Sequence, residues 1–584
     1  MHDDASPATS ISPLLAETVS TPEAIVRVLE QAGVRFVFGM PGGNTGLVFN
    51  ALYDHPSTIR TVLVRDEVLA GIMAEVCGRL TGVPAVAMGQ AAFLVNASRG
   101  AIEGLLSGSP MLLLTDLSEN PPFTHHAPYQ AASGEYGNWD ARQAFAGFTK
   151  QAVVASNGAH AVQATQLAIK HATSGQPGPI ALLYRLPALR ETVGPDTVPT
   201  LYASGPLITS PVPHPAPAEL ARAAELLAHA ARPLVIAGNG IRLGRAYAEL
   251  AALAEHLGAA VATSAAGKSV LPETHPQSLG VYGSFGTPVA NAMVSEADVI
   301  LVAGSKLGAT DTAFENPELI DPTRQRLIQI DIEPCNTSWT YPCEVSLVGD
   351  LRTVLGELRA RLEGRVSDEA RGAGRARIEA ARQRHGFFNA PEMLSDDVPV
   401  LPQRIIRALH EAIGTDAIIT CDAGENRLHM THYFQSKAPG SLIQPAGVGA
   451  MGYAIPAALA AKLVHPDRPA IAVCGDGGFG IGLNGLMTAV EERIPIVVLV
   501  FNNQALGWVR NGQGERPIAS EFAPFDHAAI ARAMGCDGQR VERPVDVRPA
   551  IEAAIASGRP TVIDVRSALT ETFRKVTSPL VRKP

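Results

Sequence analysis

The chain has 584 residues, of which 46% are hydrophobic and 18% charged, a composition that excludes an intrinsically disordered protein. Single hydrophobic cores stop growing near about 250–300 residues, so this length predicts three or four domains. The formal net charge is −9 without a basic stripe, which argues against a nucleic-acid partner. No apolar run approaches the roughly 20 residues that cross a membrane, so no membrane association is expected.

Residues 1–17 are acidic and rich in Ser and Pro, and they predict a disordered leader. They lack the basic and apolar segments of a signal peptide, so a cytoplasmic protein is expected. The six cysteines are scattered and show neither zinc-site spacing nor a disulfide framework. Buried thiols in a reducing compartment are therefore expected.

The stretch 18–190 alternates short apolar runs with helical segments, a pattern typical of a parallel sheet covered by helices on both faces. A Pro- and Ser-rich stretch, 191–217, then predicts an extended linker. The predicted strands of this first block are Val34–Phe38, Thr61–Val64, Ala85–Met88, Met111–Thr115 and Ile180–Tyr184.

Two further blocks, 218–365 and 396–584, repeat the pattern, and a charged linker over 366–395 is expected between them. Their predicted strands are Pro233–Ala237, Val299–Ala303, Leu327–Asp331, Ala417–Cys421, Ala470–Cys474, Ile496–Phe501 and Thr561–Val565. The sequence thus predicts an α/β protein of three doubly wound parallel-sheet domains in series.

Two neighbouring strands of the third block end in unusual loops. The first ends in Gly475-Asp476-Gly477-Gly478, and a helix is expected over about 482–492. The second ends in Asn502-Asn503, and Asn503 lies 27 residues beyond Asp476. That distance is one strand–helix–strand crossover, so both loops are expected at the carboxyl edge of one sheet, where open α/β sheets bind ligands.

The residue types in these loops predict a site for a diphosphate and a metal ion. A carboxylate from Asp476, an amide oxygen from Asn503 and a backbone carbonyl suit Mg²⁺, which prefers oxygen ligands. Gly477 and Gly478 allow backbone N–H groups to approach a phosphate at a helix N-terminus.

This pattern resembles the thiamine diphosphate (ThDP) enzymes of the acetolactate synthase / pyruvate oxidase superfamily, whose fingerprint is Gly-Asp-Gly followed, one crossover later, by Asn-Asn. The resemblance spans about residues 20–570. It implies a pyrimidine-binding domain at 18–190, a central domain at 218–365 and a diphosphate-binding domain at 396–584. It also implies that Asp476, Asn503 and the main-chain carbonyl of Ala505 hold Mg²⁺, which anchors the cofactor diphosphate.

Other segments extend the resemblance. The stretch from Gly447 to Pro456 resembles the family's Gly-x-Gly-x-Met-Gly segment, which implies that Met451 supports the bent cofactor and that the carbonyl of Gly449 binds its amino group. Glu425 would place a carboxylate close to the diphosphate, an unfavourable position unless its side chain points away. The resemblance also implies cofactor contacts from Gly424, Glu425, Asn426, Gly477, Gly478 and Gly507.

In the first block, Arg65-Asp66-Glu67 follows a predicted strand and resembles the family's triplet that carries an activating glutamate. The resemblance implies that Glu67 hydrogen-bonds the cofactor pyrimidine, after which the carbonyl of a 2-oxo acid is attacked and CO₂ leaves. In this family Glu67 of one subunit would complete the cofactor site of its partner. A homodimer or homotetramer is therefore implied.

Two segments depart from the family pattern. Gln90 and Phe93 stand where the family usually has a Gly-Pro-Gly turn on the substrate side, which leaves open a substrate other than pyruvate, with Gln90 as a polar contact. Gln90, Phe93 and Met451 are the residues expected on the substrate side. Further on, an irregular segment is unusually rich in polar and aromatic residues. Either a solvated loop or a wall of the active site would explain it. Its residues of note are His125, His126, Tyr129, Gln130 and Trp139.

The central block carries Gly238-Asn239-Gly240 after a strand, a weak cue for a dinucleotide. In relatives this domain holds FAD, ADP or nothing, and the segments Tyr282–Gly286 and Gly304–Lys306 occupy places that line the flavin nucleotide. Lys306 replaces the Arg of many relatives and can still meet a phosphate as a point charge. FAD is therefore an open expectation.

The resulting functional prediction is a ThDP- and Mg²⁺-dependent enzyme that decarboxylates a 2-oxo acid and joins the product to a second carbonyl, as acetolactate synthases do. The departure at Gln90 and Phe93 keeps open a decarboxylase or lyase of the benzoylformate or oxalyl-CoA type. A third interpretation, from another class, is a non-catalytic regulatory subunit with the ThDP fold, and the intact Glu67, Asp476 and Asn503 argue against it.

Overall fold

The computed structural model describes residues 11–121 and 124–581. The chain divides into two compact units, one that ends at Pro211 and one that begins at Val212. Each of the three predicted domains contains a six-stranded sheet in which all neighbouring strands are parallel. The fold class is therefore confirmed, and the sheets lie one in the first unit and two in the second.

The first unit contains a six-stranded sheet and a separate two-stranded antiparallel ribbon. Its strands are β1 (Val19–Ser20), β2 (Phe36–Gly39), β3 (Arg60–Leu63), β4 (Ala85–Met88), β5 (Met111–Asp116), β6 (Gln151–Ala155), β7 (Pro179–Tyr184) and β8 (Thr192–Val193). Its helices are α1 (Thr21–Gln31), α2 (Gly46–Asp54), α3 (Glu67–Thr81), α4 (Ala91–Leu94), α5 (Ser98–Ser107), α6 (Ala141–Ala146), α7 (Gly158–Thr173), α8 (Leu186–Arg190) and α9 (Ser204–Ile208). The sheet order is β3-β2-β4-β5-β7-β6, and β1 pairs with β8.

The central domain begins the second unit. Its strands are β9 (Pro233–Ala237), β10 (Ala260–Thr263), β11 (Ser278–Val281), β12 (Val299–Ala303), β13 (Arg326–Asp331) and β14 (Val345–Val348). Its helices are α10 (Pro217–Ala228), α11 (Gly240–Leu243), α12 (Tyr247–Leu257), α13 (Pro288–Glu296), α14 (Leu351–Arg361) and α15 (Asp368–His385). The sheet order is β11-β10-β9-β12-β13-β14, the order of dinucleotide-binding sheets.

The C-terminal domain completes the second unit. Its strands are β15 (Ile418–Cys421), β16 (Leu442–Ile443), β17 (Ala470–Gly475), β18 (Ile496–Asn502), β19 (Asp537–Val541) and β20 (Thr561–Arg566). Its helices are α16 (Pro402–Ala412), α17 (Glu425–Tyr433), α18 (Ala454–Val464), α19 (Asp476–Gly482), α20 (Gly485–Glu491), α21 (Gly507–Gln513), α22 (His527–Ala533) and α23 (Pro544–Ser557). The sheet order is β16-β15-β17-β18-β20-β19.

The first and last sheets follow the same path, because in each the second strand lies on one side of the first and the third strand on the other. The chain therefore leaves β2 toward one side of the sheet to form β3 and returns to the other side to form β4, so the direction reverses between β2 and β4. The same reversal lies between β15 and β17. Such reversal points open a crevice at the carboxyl ends of the strands, where ligands bind. The crevice beside β15 and β17 is the one that the predicted diphosphate loops border.

Three segments differ from the sequence expectations. The disordered leader was predicted to extend to residue 17, but Leu14 and Leu15 are buried, and Leu14 N donates to Leu201 O at 2.8 Å. The prediction of disorder is therefore wrong for these residues. Residues 1–10 lie outside the described chain. The first linker contains β8 and α9. The second linker contains α15, whose Ile378 is buried in the core of the central domain.

A buried ion pair lies where the central domain meets the C-terminal domain. The side chains of Lys268 and Glu273 are fully buried, with Nζ and Oε1 3.0 Å apart. The other carboxylate oxygen of Glu273 accepts the backbone N–H of Ser436 at 2.8 Å. Glu273 therefore ties its own domain to the chain that follows α17.

All six cysteines carry free thiols, and four of them are buried, as expected; Cys335 is exposed and Cys343 partly so. Over residues 11–121 and 124–581, we find no helix with the length and hydrophobicity that crossing a membrane requires.

Candidate functional site

A cavity of about 270 Å³ opens at the crevice between β15 and β17. Its walls are the loops that follow β15, β17 and β18, together with the segment that precedes α18. Every residue predicted to contact a cofactor in this domain lines it, namely Gly424, Glu425, Asn426, Gly449, Met451, Asp476, Gly477, Gly478, Asn503, Ala505 and Gly507. The structure thus brings together residues that span more than 80 positions of the sequence.

The two loops of the Gly-Asp-Gly and Asn-Asn pattern are in direct contact. Asp476 Oδ2 accepts the backbone N–H of Gln504 at 2.6 Å, and Asp476 Oδ1 accepts that of Gly477 at 2.9 Å. Asn503 Oδ1 accepts the N–H of Ala505 at 3.2 Å. The helix expected over about 482–492 is present as α20, and a further short helix, α19, begins at Asp476 itself, so the aspartate lies in its first turn.

The donor set at these loops fits a magnesium ion. Burial raises the pKa of Asp476 to about 6, and a cation bound at this carboxylate would stabilise its charged form. Within the described residues, no group of three or more His, Cys, Asp or Glu side chains forms a metal cluster. A metal here must therefore take amide, carbonyl and ligand oxygens beside one carboxylate, the set that Mg²⁺ accepts and zinc does not favour.

The two glycines after Asp476 are required by close packing. A Cβ atom on Gly478 would lie 2.8 Å from Cγ of Asp422, and one on Gly477 would lie 3.0 Å from both Leu506 Cδ2 and Met451 Cε. Met451 therefore lies over Gly477, on the cavity wall, and its support of a bound cofactor stays a prediction. A larger residue at 478 would displace the Asp422 carboxylate, whereas at 477 the ends of the Leu506 and Met451 side chains would have to shift slightly.

Asp422 is a residue whose importance the sequence did not reveal. It is fully buried, its Oδ1 accepts the N–H of Gly452 at 2.9 Å, and its Oδ2 accepts that of Ala454 at 3.1 Å. These bonds fix the start of α18 and the segment that carries Gly449 and Met451. Burial raises the pKa of Asp422 to about 7. The only sequence signal was its place at the end of a buried strand.

The Glu425 carboxylate is bound by groups of α21 and the C-terminal segment, although the residue also lines the cavity. Both of its carboxylate oxygens accept Nδ2 of Asn511 at 3.1 Å, and Oε1 also accepts the backbone N–H of Phe573. Burial raises the pKa of Glu425. A Cβ atom on Gly507 would lie 2.5 Å from Glu425 Oε2, so this glycine makes room for the carboxylate. Glu425 is thus a support for α21 and the C-terminal segment.

Replacing Glu425 with Ala is expected to lower stability by about 1–3 kcal/mol, because the partly buried Asn511 amide and Phe573 N–H would lose this acceptor. Cofactor retention should fall as well, since α21 follows the loop of Asn503 and Ala505. Thermal unfolding and cofactor content after gel filtration measure both effects. The exposed Glu542, changed to Ala, is the control. Equal behaviour of the two variants would contradict this role.

His429 is a second cavity residue that the sequence did not single out. It is 2% exposed, and its Nε2 lies 3.3 Å from the carbonyl oxygen of Glu571, so Nε2 carries the proton. Its Nδ1 is buried without a hydrogen-bond partner among the described residues. Burial lowers the pKa of His429 to about 4. The ring is therefore neutral at pH 7, and Nδ1 is an acceptor.

This histidine predicts a pH-dependent component of stability. Because the folded pKa is below the value of about 6.5 for an unfolded histidine, the contribution is present above pH 6.5 and is lost as the pH falls toward 4. Its size is up to about 3 kcal/mol. Thermal unfolding of His429→Gln between pH 4 and 7 should show a flatter profile than the wild type. The exposed His229, changed to Gln, should keep the wild-type profile.

Glu67 occupies the equivalent crevice of the first unit, beside the reversal point between β2 and β4. It is the first residue of α3, whose start is capped by Asp66 through Oδ1 and the N–H of Val68 at 2.9 Å. Its side chain is 6% exposed, and a Cβ atom on Gly89 would lie 3.8 Å from its Cγ. Burial raises the pKa of Glu67, and a hydrogen bond with Asn96 opposes the shift. A glutamate that retains its proton suits a proton-transfer role.

Gln90 belongs to a hydrogen-bond network within the first unit. Its Nε2 donates to Ser118 Oγ at 2.9 Å and to Gln130 Oε1 at 3.1 Å. Asp116 extends the network by accepting the N–H of Asn44 at 2.7 Å. Gln90 therefore holds neighbouring loops together, and its role as a substrate contact stays a prediction.

The other residues predicted near the substrate are exposed in this unit. Phe93 is 42% exposed and Tyr129 is 86% exposed, and both histidines of the irregular segment face solvent. Trp139 is 36% exposed. Residues 122 and 123 lie outside the described chain. These exposures fit a surface loop, and a wall of the active site stays a prediction.

The glycines that suggested a dinucleotide in the central domain have another explanation. A Cβ atom on Gly238 would lie 2.1 Å from Gly304 O, and one on Gly240 would lie 2.6 Å from Gly304 Cα. The loops after β9 and β12 therefore pack against each other and need no nucleotide to explain these glycines. Lys306 remains near Asp331 and Glu333, and burial lowers its pKa.

Comparison with known sequence families decides the identity of this arrangement. Residues 19–134 match the N-terminal TPP binding domain of thiamine pyrophosphate enzymes, 220–358 match their central domain, and 422–565 match their C-terminal TPP binding domain. The chain belongs to the thiamine pyrophosphate enzyme family. It is a ThDP-dependent enzyme of the acetolactate synthase / pyruvate oxidase superfamily, as the resemblance implied.

Relatives of this ThDP enzyme match it over nearly its whole length. A probable acetolactate synthase large subunit of Methanocaldococcus jannaschii is 30% identical, covering 93% of this chain and 91% of that protein. A probable 2-ketoarginine decarboxylase of Pseudomonas aeruginosa is 32% identical, covering 94% of this chain and 95% of that protein. The acetolactate synthase large subunit of Corynebacterium glutamicum is 30% identical, covering 94% of this chain and 87% of that protein.

Proposed function

We propose that this ThDP enzyme decarboxylates a 2-oxo acid and joins the remaining acyl unit to a second carbonyl compound, in the manner of an acetolactate synthase. The observation that carries the proposal is the cavity at β15 and β17, which gathers the whole set of predicted cofactor residues. Full-length similarity to proteins named acetolactate synthase supports the reaction class. Bound ThDP would supply the electron sink that allows CO₂ to leave.

The chain's own residues would bind, orient and activate. Asp476, Asn503 and the carbonyl of Ala505 would hold Mg²⁺, and the N–H groups at Gly477 and Gly478 would face the diphosphate at the start of α19. The carbonyl of Gly449 and the side chain of Met451 would fix the cofactor's rings. Glu67 would hydrogen-bond the pyrimidine and hold the proton that activation requires. The support for these roles is the geometry described above.

A homodimer is the smallest active form in this proposal, and a homotetramer is compatible with it. The support is the family resemblance, in which the activating glutamate and the diphosphate loops of one site come from different subunits. Light scattering coupled to gel filtration measures the mass. A cytoplasmic location is part of the same proposal.

The test uses protein stripped of metal and cofactor by dialysis against EDTA and then reloaded with ThDP and Mg²⁺. A panel of 2-oxo acids, alone and with aldehyde or 2-oxo acid acceptors, is assayed for CO₂ and the products are identified. CO₂ release that depends on both ThDP and Mg²⁺, with an acyloin or 2-hydroxy-2-alkyl-3-oxo acid as product, is expected. Bound ThDP without CO₂ release from any substrate would instead favour the non-catalytic regulatory subunit.

A second candidate is a decarboxylase that releases an aldehyde without carboligation. Two observations favour it: the similarity to a protein named probable 2-ketoarginine decarboxylase, and the altered segment at Gln90 and Phe93. Aldehyde as the sole product in the assay above would select it. A flavin-linked reaction would require FAD, and the absence of absorbance near 450 nm in the purified protein would exclude it.

A further inference from the structure

A second cavity, of about 300 Å³, lies between the central domain and the C-terminal domain. Arg427 and Gly449 line both this cavity and the one that gathers the predicted cofactor residues. The two cavities therefore adjoin at these two residues. We call the second cavity the side pocket, defined by its lining residues Ala265, Ala266, Val281, Tyr282, Phe285, 308–311, Arg427, Leu428, Thr431, Gln444 and 446–449.

The central domain contributes one carboxylate to the side pocket, that of Asp311. This residue lies in the loop after β12, and its Oδ1 accepts the N–H of Ala265, in the loop after β10, at 3.1 Å. A Cβ atom on Gly283, in the loop after β11, would lie 2.4 Å from Asp311 O. Three loops at the carboxyl edge of the central sheet thus meet at Asp311, and the crowding fixes its position.

The chain immediately after Asp311 is held in an uncommon conformation. Ala313, Phe314 and Glu315 have φ values of 50°, 61° and 56°, the left-handed region that costs a non-glycine residue of order 1 kcal/mol or more. Thr312 is fully buried, and its Oγ1 accepts the N–H of Glu315 at 3.1 Å. The surroundings therefore hold this loop, and with it Asp311, in one arrangement.

The charge of Asp311 has little compensation within the pocket wall. Burial raises its pKa to about 6, and the hydrogen bond from Ala265 N opposes the shift only in part. A carboxylate can accept about four hydrogen bonds, so acceptor capacity remains at Asp311. Its side chain is partly exposed, and it lines the pocket. A positively charged group in the pocket would supply the missing compensation.

The positive charge of the pocket, Arg427, comes from the C-terminal domain and also lines the cofactor cavity. Arg427 Nη1 donates to Pro445 O at 2.7 Å, and a Cβ atom on Gly449 would lie 3.9 Å from the same nitrogen. The guanidinium therefore lies on the wall shared by both cavities, whereas Asp311 lies on the central domain. A ligand that is anionic at its reacting end and cationic at its far end matches this polarity.

We propose that the side pocket receives the side chain of the 2-oxo acid substrate and that Asp311 binds a guanidinium or ammonium group at the end of that side chain. This inference rests on the proposed function, because it places the 2-oxo end in the cofactor cavity. A substrate with a short neutral side chain would leave the Asp311 carboxylate without a counter-charge. Charge-assisted hydrogen bonds are about twice as strong as neutral ones, so the enzyme should discriminate strongly between charged and neutral side chains.

Two nearly isosteric substrates test the proposal, 2-oxo-5-guanidinopentanoate and its neutral analogue 2-oxo-5-ureidopentanoate. For the ThDP- and Mg²⁺-loaded wild type, kcat/KM for CO₂ release should be about 100-fold higher with the guanidino acid. In Asp311→Asn that ratio should approach one, mainly through a higher KM for the guanidino acid. Turnover of the ureido acid should stay within a few fold, which shows at the same time that the variant is folded and loaded.

The exposed Asp368 provides the matched control, since its side chain is 95% exposed on the same domain. Asp368→Asn should keep the wild-type ratio. A binding measurement that does not need turnover uses 4-guanidinobutanoate, which has no 2-oxo group. Isothermal titration should show binding to the loaded wild type and to Asp368→Asn, and at least tenfold weaker binding to Asp311→Asn.

The outcomes separate this inference from the proposed function. Equal kcat/KM for the two acids in the wild type, or an unchanged ratio in Asp311→Asn, would overturn the role of Asp311 while CO₂ release upheld the reaction class. Failure to release CO₂ from any 2-oxo acid would overturn the proposed function. Binding of 4-guanidinobutanoate that is lost in Asp311→Asn would still establish the cation site in that case.

Discussion

Replacing Glu67 with Gln should lower kcat by about 10²–10⁴-fold while ThDP affinity changes by no more than a few fold. The amide keeps the size of the side chain and can still hydrogen-bond Asn96, but it cannot take up or release a proton. The environment of Glu67 is the physical reason, because burial beside Gly89 favours a glutamate that holds a proton. Steady-state CO₂ release and a ThDP titration followed by circular dichroism measure the two quantities.

The control for this variant is Glu17→Gln, in the same unit, because the Glu17 side chain is 70% exposed and lies on the surface. Its kcat should match the wild type. A buried ion-pair cluster holds α3 independently, since Arg79 binds Glu75 and Glu103 at 2.7 and 3.0 Å. The Glu67 variant should therefore fold normally. An undiminished kcat would remove Glu67 from the proposed mechanism.

Replacing Asp476 with Asn should weaken the binding of Mg²⁺ and ThDP by about 100-fold or more. The variant removes the one carboxylate among the predicted metal ligands, and a neutral amide is a much weaker ligand for a hard cation. The hydrogen bond from Gln504 N can persist to the amide oxygen, so the two loops should stay together. Calorimetric titration of ThDP at several Mg²⁺ concentrations measures the loss.

Unfolding experiments separate lost binding from lost structure in this variant. ThDP and Mg²⁺ should raise the unfolding temperature of the wild type and of Asp467→Asn, an exposed control, by the linkage between binding and folding. They should leave Asp476→Asn nearly unchanged at the same concentrations. If Asp476→Asn were stabilised as strongly as the wild type, Asp476 would not be a metal ligand.

Most of the strands predicted from the sequence are buried on both faces, and the main exception is the edge strand β3, in which three of four residues are exposed. All twelve predicted strands are present, each with ends within two residues of the expected ones. Continuous apolar runs such as Val299–Ala303 mark strands that helices cover on both sides, so a local pattern carries the information.

The strands that the sequence did not reveal lie mostly at sheet edges. Among the six-stranded sheets these are β6, β10, β11, β14, β16 and β19, and all but β10 are edge strands. Some of these strands are buried incompletely, as in β19, where Gln539 and Arg540 face solvent, whereas β11 is buried throughout. Their pairing depends on the neighbouring strand more than on their own composition, and a local pattern cannot indicate it.

The cofactor loops were predictable because chain-local motifs form them. The Gly-Asp-Gly and Asn-Asn loops each follow directly from a strand, and one crossover separates them. The side-chain partners were not predictable, because they come from distant parts of the sequence. Glu425 meets Asn511 and Phe573, and Asp311 meets Ala265, through contacts that only the folded chain creates.

The ion pair of Lys268 and Glu273 has a consequence for how the protein unfolds. If the central domain detached from its neighbour, Glu273 would give up the N–H of Ser436, and a charged pair formed in a dry interior would meet water or lose its partners. Loosening one domain therefore weakens the other. Heating should melt residues 212–581 in a single cooperative step, and the central domain should not survive excision as a free-standing module.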